Sequence, residues 1–136
     1  MEAKTFIEGL FRKWESGDSG PFFAALSDNL IWTAIGGTPI SGTCRSKQEY
    51  LEQVYRPLLA IFSGPTRCTV RQVIGEGQTV VVEWHGETLV ASGGLYSQDY
   101  CWVIRVDDAI EAIVEVRGYF DTELVSKLFK NQNRAS

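Results

Sequence analysis

The chain has 136 residues, of which 44% are hydrophobic and 22% are charged, and its formal net charge is −4. This length suits one globular domain over residues 1–136, and the composition argues against a disordered chain. The negative charge and the scattered Lys and Arg residues argue against a nucleic-acid partner. No stretch reaches the ~20 apolar residues of a membrane-spanning helix, so we expect no membrane partner either.

The cysteines and the first residues bear on the compartment in which the protein works. Cys44, Cys68 and Cys101 are an odd number of cysteines without the spacing of a metal site, which fits a reduced chain better than a disulfide framework. The opening segment MEAKTFIEGLF contains acidic residues and lacks the apolar region of a signal peptide. We therefore expect a cytoplasmic protein, and the sequence indicates neither a metal site nor a cofactor.

Helix signals dominate the first half of the chain. Apolar residues at helical spacing predict an amphipathic helix over roughly 4–15, which the Gly-containing segment 17–20 ends. Ser19 and Pro21 suit the cap and the first turn of a short second helix. The segment 29–37 is predicted as a first strand, and a turn containing Gly and Pro follows it.

The second half begins with one more helix and continues as strands. Ser46 and Glu49 have the spacing of a capping box, and the third helix that they begin is predicted to end near Gly64-Pro65. Long segments rich in β-branched and aromatic residues then predict an antiparallel meander. These segments are Thr66–Ile74, Gln78–Ala91, Leu95–Val106 and Ile110–Phe120. A short closing helix follows, capped by Asp121 or Thr122. The prediction is an α+β fold, with three N-terminal helices packed on one face of a strongly bent antiparallel sheet.

Alternation along the predicted strands separates two faces of the sheet. The row without charges should face the helices, and in the last strand it consists of Ala112, Val114, Val116, Gly118 and Phe120. The same parity directs Trp32, Trp84 and Trp102 into one concavity. Each could be an ordinary core residue, but so many indole N–H and phenol O–H groups, each needing a partner, favour a ligand pocket. The predicted ligand-binding residues are Trp32, Trp84, Tyr100, Trp102 and Tyr55.

The opposite row is unusually apolar for a face that would otherwise meet water. Its apolar or aromatic members are predicted to be Val81, Cys101, Val103, Ile113 and Tyr119. An apolar patch of this kind is typical of an association surface. We therefore expect a homodimer formed through the outer face of the sheet.

The order and spacing of several short segments carry a family resemblance. They are Gly17-Asp18, Ser27-Asp28-Asn29, Ile40-Ser41-Gly42, Val82-Glu83-Trp84 and Gly118-Tyr119-Phe120-Asp121-Thr122. In these segments the chain resembles the SnoaL-like branch of the NTF2-like, or cystatin-type, superfamily, and the resemblance covers nearly its whole length. It implies a cone-shaped pocket, and it supports dimerisation through the sheet.

The resemblance also implies positions for catalytic residues, and here the sequence departs from it. Ketosteroid isomerases of this superfamily use a carboxylate base, a tyrosine and a late aspartic acid. The matching positions are Ala34 (or Thr33 after a shift of one residue), Leu10 and Trp102. Epoxide hydrolases of this fold use an arginine and two aspartates. The matching positions are Trp84, Gly86 and Gly118. Neither set of reactive side chains is present, although the indole N–H of Trp102 could donate a hydrogen bond.

The remaining candidates for catalysis are isolated polar residues. Asp99 lies near a strand start, but parity places it on the outer row. His85 is the only histidine, and its row carries Glu83 and Glu87, which favours a solvated or interface position over a general base. Asp121 precedes a helix, where an N-cap role explains it.

Two interpretations therefore stay open. In the first, the chain binds a small apolar or aromatic molecule in a cone-shaped pocket, with isomerase-, cyclase- or hydrolase-type chemistry by residues unlike those of its relatives. In the second, it is a non-catalytic binding or dimerisation module whose own aromatic side chains largely fill the pocket.

Overall fold

A computed structural model of the protein describes residues 1–135, with side chains through residue 132; residue 136, the last of the predicted domain, lies outside the described residues. The helices are α1 (Ala3–Glu15), α2 (Gly20–Ala24), α3 (Lys47–Tyr50), α4 (Arg56–Ile61) and α5 (Thr122–Ala135). A π-helical turn, Leu51–Tyr55, joins α3 to α4. The strands are β1 (Leu26–Ala34), β2 (Gly42–Cys44), β3 (Arg67–Glu76), β4 (Thr79–Leu89), β5 (Leu95–Val106) and β6 (Ile113–Phe120).

The strands form one six-stranded sheet in the order β2-β1-β6-β5-β4-β3. The strands β3 to β6 are the predicted antiparallel meander, and β1 joins β6 in parallel, with Ala34 opposite Gly118. The α+β class is confirmed. The parallel pair was not predicted, because alternation within a strand does not reveal which distant strand lies beside it.

The helices cover one face of this sheet. The buried stripe of α1 consists of Ala3, Ile7, Leu10, Phe11 and Trp14. The start of α3 is fixed by Ser46, whose hydroxyl accepts a hydrogen bond of 3.0 Å from the amide of Glu49. The π-helical turn ends just before Pro57, which cannot donate to a carbonyl and would crowd a regular helix, so a wider turn fits this place.

The last strand corrects one prediction about the faces of the sheet. Arg105 pairs with Glu115 and Val106 with Ile113, so Val114 is an extra residue that bulges from β6. This bulge reverses the parity before it, and Ile113 is fully buried instead of lying on the outer face. Ala112 and Val114, predicted for the inner row, are only partly buried. Val116 and Gly118, after the bulge, face inward as predicted.

Several element boundaries also differ from the prediction. The first strand begins at Leu26, and the last begins at Ile113, because the Asp107 carboxylate accepts bonds from the amides of Glu111 and Ala112 and extends the turn. The closing helix α5 is long, with 14 residues. The side chain of Ser19 makes no cap bond in α2; the carboxylate of Asp18 accepts from the Gly20 amide instead.

Candidate functional site

A cavity of about 220 Å³ lies between the helix layer and the inner face of the sheet. Its wall combines side chains from α1, the α3–α4 segment, the strands and α5. The lining residues used below are Trp14, Trp32, Ala34, Tyr50, Tyr55, Trp84, Tyr96, Tyr100, Trp102 and Gly118. Exposed Leu59 also lines the cavity and marks its rim. The cavity is therefore walled mainly by aromatic rings.

The rings of the sheet contact one another in a fixed arrangement. Trp84 and Tyr100 stack with centroids 4.3 Å apart, as a cross-strand pair on β4 and β5. The Trp102 ring stands nearly perpendicular to both Trp84 and Trp32, at centroid distances of 4.9 and 5.1 Å. Stacked and edge-on pairs at these distances are favourable aromatic geometries. The inner face thus presents a preformed aromatic wall.

Two glycines on the inner face make room for this wall. A Cβ on Gly86 would lie 2.9 Å from Trp84 Cζ3 and 3.1 Å from Tyr100 Cε2. A Cβ on Gly118 would lie 3.2 Å from the indole nitrogen of Trp102. Both positions therefore lack a side chain where a ring takes the space.

The polar groups on the cavity wall include indole donors without acceptors. Trp14 is satisfied, because its indole N–H donates to the carbonyl of Thr66 at 3.1 Å. The buried Nε1 of Trp84 has no partner among the described residues. Neither Trp32 nor Trp102 makes an indole hydrogen bond within the described part of the chain. None of the described residues that line the cavity carries a charged side chain.

The tyrosine hydroxyls of the cavity are poor proton acceptors. Burial raises the pKa of Tyr50 far above its usual value and raises the pKa of Tyr100 well above it. Both therefore stay protonated near neutral pH. Their chemistry in this site is hydrogen bonding through a neutral phenol.

The buried side-chain amide of Gln98, on β5, links the cavity wall to the start of α5. Gln98, which is 2% exposed, donates to the Tyr96 hydroxyl at 3.1 Å and to the Asp121 carbonyl at 3.0 Å. Its oxygen accepts from the Asp121 amide at 3.1 Å. The Asp121 carboxylate meanwhile accepts from the amides of Glu123 and Leu124. Asp121 therefore acts as the N-cap of α5, and it does not line the cavity.

The predicted ligand-binding residues all lie on the cavity wall. Trp32, Trp84 and Trp102 are each at most 7% exposed, and Tyr100 and Tyr55 complete the set. Whether they bind a ligand stays a prediction. Ala34 also lines the cavity, so the position that the resemblance matched to a carboxylate base faces the cavity with a methyl group.

His85 and Asp99 lie together, but on the opposite face of the sheet. His85 Nδ1 is 2.8 Å from the Asp99 carboxylate, and its Nε2 is 2.9 Å from Ser97 Oγ and 3.5 Å from Glu87. The hydrogen bond to Asp99 raises the pKa of His85, and the same bond lowers the pKa of Asp99. Neither residue lines the cavity, so this cluster cannot reach a molecule held there.

Some residues of the cavity wall were not predicted from the sequence. Trp14, Tyr50 and Tyr96 line the cavity but were not predicted as site residues. Trp14 and Tyr50 lie on the buried faces of α1 and α3, and helical periodicity shows that a residue is buried but not whether a void lies beside it. Tyr96 has the inward parity of Trp102 along β5, and this was the signal that could have identified it.

None of the described helices is both long and apolar enough to cross a lipid bilayer. Among the described residues no group of His, Cys, Asp and Glu side chains is arranged to hold a metal ion.

The sheet order, the helix layer on one face and the enclosed cavity define an NTF2-like fold. The sequence profile of the SnoaL-like domain matches residues 7–116, and the chain belongs to this SnoaL-like family. The family assignment thus confirms the resemblance seen in the sequence.

Solved structures share this fold at low sequence identity. An NTF2-like protein from Burkholderia thailandensis superimposes with a TM-score of 0.75 at 22% identity, over 95% of this chain and 98% of its own. TerC, crystallised with polyporic acid, gives 0.74 at 18% identity, over 94% and 98%. A ketosteroid isomerase-like protein from Catenulispora acidiphila, in complex with trimethylamine, gives 0.66 at 12% identity, over 88% of both chains. No protein of curated function matches the sequence.

Proposed function

We propose that the protein binds a small apolar or aromatic molecule in the aromatic-walled cavity. The observation that carries this proposal is a preformed space of about 220 Å³ whose wall is aromatic and uncharged. A cavity of ~150 Å³ already accommodates benzene, whereas pockets for drug-sized ligands occupy ~300–1,000 Å³. The available volume therefore suits a ligand of one or two rings.

Two relatives support the proposal by analogy of fold. TerC was crystallised with polyporic acid, and the Catenulispora protein was solved in complex with trimethylamine. The identities of 18% and 12% show the shared fold alone, so neither ligand transfers to this chain. They support only the use of this cone as a ligand site.

Chemical conversion of the ligand would have to rely on neutral groups. The wall offers indole and phenol donors, and it contains no carboxylate, histidine or lysine side chain. Isomerase-, cyclase- or hydrolase-type catalysis needs a proton acceptor or an activated water, which this wall does not supply. Binding is therefore the function that the geometry supports best.

A non-catalytic module with a largely self-filled pocket is the second candidate. The observation in its favour is the dense contact among aromatic side chains at the base of the cavity. Phe22 lies 5.6 Å from Trp102, and Phe11 lies 6.2 Å from both Trp84 and Trp102, between ring centroids. These rings occupy much of the cone and leave the smaller space described above.

A thermal-shift screen with one- and two-ring aromatic compounds separates these candidates. A ligand at 100 times its dissociation constant should stabilise the fold by about 2.7 kcal/mol. Trp102→Ala and Trp84→Ala should weaken the binding of any hit. Absence of a shift from every compound would contradict the binding proposal and favour the self-filled module. Unchanged affinity in both variants would place the ligand elsewhere.

We also propose a homodimer through the outer face of the sheet. Val81 and Val103 lie opposite each other on β4 and β5, and together with Cys101 and Tyr119 they form an apolar stripe there. Arg105 and Arg117, bridged by Glu115, lie toward one end of this stripe. The acidic residues Glu83, Glu87 and Asp99 lie toward the other end, where Arg71 lies 3.7 Å from Asp99 and offsets part of their charge. A two-fold axis through the stripe would set the basic end of one copy against the acidic end of the other.

Light scattering at micromolar concentration tests the dimer. The wild type should have twice the mass of the chain, and Val103→Glu should be monomeric. Leu124→Glu changes an exposed apolar residue on α5, away from the stripe, and should stay dimeric. A monomeric wild type would contradict the dimer.

The three free thiols, Cys44, Cys68 and Cys101, support a further part of the proposal, residence in a reducing compartment such as the cytoplasm.

A further inference from the structure

The cavity wall carries hydrogen-bond donors that the protein itself does not satisfy. An unpaired buried donor is uncommon in folded proteins, and each one calls for an explanation. Trp84 Nε1 is such a donor, in a side chain that is 3% exposed, but this atom is closed off even from water. Trp102 lines the cavity, and its Nε1 makes no hydrogen bond within the described part of the chain. Trp102 therefore offers the donor for a ligand, and a hydrocarbon would leave this donor unpaired.

The wall also lacks the groups that would hold an ion. A cationic ligand would need an anion or an aromatic cage with free ring faces, and the faces of Trp84 and Tyr100 are stacked on each other. An anionic ligand would need a cation or a helix N-terminus beside it, because burying an unpaired charge is costly. None of the described residues that line the cavity is charged. A neutral molecule with an acceptor oxygen satisfies the wall best.

We propose that the ligand is a neutral one- or two-ring molecule with a carbonyl or ether oxygen, which accepts a hydrogen bond from the indole N–H of Trp102. This inference rests on the proposed function, since it names the class of molecule that the same cavity takes. Gly118 is then a positioning residue, because a side chain there would press on the Trp102 nitrogen and shift the ring that carries the donor.

A set of probes with one carbon skeleton tests this chemistry by titration calorimetry. The set is tetralin, α-tetralone, protonated aminotetralin and tetralin carboxylate, which are a hydrocarbon, a ketone, a cation and an anion. We expect α-tetralone to bind about tenfold more tightly than tetralin, the effect of one hydrogen bond to a buried donor. Both ions should bind more weakly than the ketone.

Variants assign the preference to this donor. Trp102→Phe keeps an aromatic ring and removes the N–H, and the ratio of ketone to hydrocarbon affinity should fall toward one. Gly118→Ala should also lower this ratio, because its methyl group would lie 3.2 Å from the Trp102 nitrogen and shift the ring. Ser97→Ala is the control, since Ser97 bonds to His85 on the outer face and does not line the cavity, and the ratio should be unchanged.

The outcomes separate this inference from the proposed function. Equal binding of ketone and hydrocarbon, or tightest binding of either ion, would overturn the inference and leave a ligand-binding cavity. A ketone preference that survives in the Trp102→Phe variant would also overturn it. Binding of none of the four probes would count against the proposed function itself, and the inference would fall with it.

Discussion

The two faces of the sheet are built from the same strands and have opposite chemistry. Along β4, Val80, Val82 and Trp84 face the cavity side, while Glu83 and His85 alternate with them on the outer face. The inner face holds rings, glycines and unpaired donors. The outer face holds the histidine and the carboxylates around it, together with an apolar stripe.

The two faces differ in what they could contribute to catalysis. The His85–Asp99 pair has the short hydrogen bond expected of a base and its orienting acid, yet the sheet separates it from the enclosed space. The cavity has the apolar wall that binding needs, but its described lining residues include no proton acceptor. Neighbouring residues along one strand therefore serve two surfaces that cannot share a substrate.

The largest difference in stability between the two faces should come from truncating one isoleucine on each of them. Ile113, which directly precedes the β6 bulge, is fully buried, whereas Ile74 on β3 is 54% exposed. Ile113→Ala should lower the free energy of unfolding by about 2–5 kcal/mol, because it removes packed methyl groups and leaves a cavity. Ile74→Ala should cost less than about 1 kcal/mol. Urea denaturation measures both, and similar losses would show that the bulge is wrongly placed.

A smaller effect should come from filling the space that a glycine leaves for the aromatic wall. Gly86→Ala should lower the free energy of unfolding by about 1–3 kcal/mol, since its methyl group would overlap the stacked Trp84–Tyr100 pair. Gly9→Ala is the control, because its Cβ would meet nothing within 4 Å in α1. That change should raise stability by about 0.5–1 kcal/mol. A neutral Gly86→Ala would mean that the ring stack is not rigid.

The smallest expected effect is a pH dependence confined to the outer face. The pKa of His85 is raised above 6.5, so its contribution to stability is complete below pH 6.5 and is lost as pH rises through the folded-state pKa. The pKa of Asp99 is lowered below 3.8, so its contribution is lost only as pH falls below that value. Both contributions are present between about pH 4 and pH 6.5.

His85→Gln should therefore lose more stability at pH 5.5 than at pH 8.5. The difference should stay below about 1 kcal/mol, since the pair is solvent-exposed and screened. Urea denaturation at the two pH values measures it. Ser97→Ala, which removes a non-titrating partner of His85, should change stability by similar amounts at both. A larger loss at pH 8.5 for His85→Gln would contradict the sign of the shift.

Much of the fold could be predicted because it depends on local patterns. The helical stripe of α1, the Ser46 cap and the alternation along β4 and β5 are properties of a few adjacent residues, and the structure agrees with each. The inward direction of Trp84 and Trp102 follows from the same alternation. The prediction was wrong at Ile113, because a bulge inserts one residue and reverses parity without a sequence signal of its own.

The α+β class, the SnoaL-like family resemblance and the row of aromatic residues could all be predicted from the sequence, since periodicity and short motifs encode them directly. Three features became visible only in the folded chain. They are the parallel pairing of β1 with β6, the places of Trp14 and Tyr96 on the cavity wall, and the partners of the indole N–H groups. These are properties of residues distant in sequence that meet in space. A pattern along the chain can predict that a side chain is buried, but a void and an unpaired donor exist only once all of its neighbours are in place.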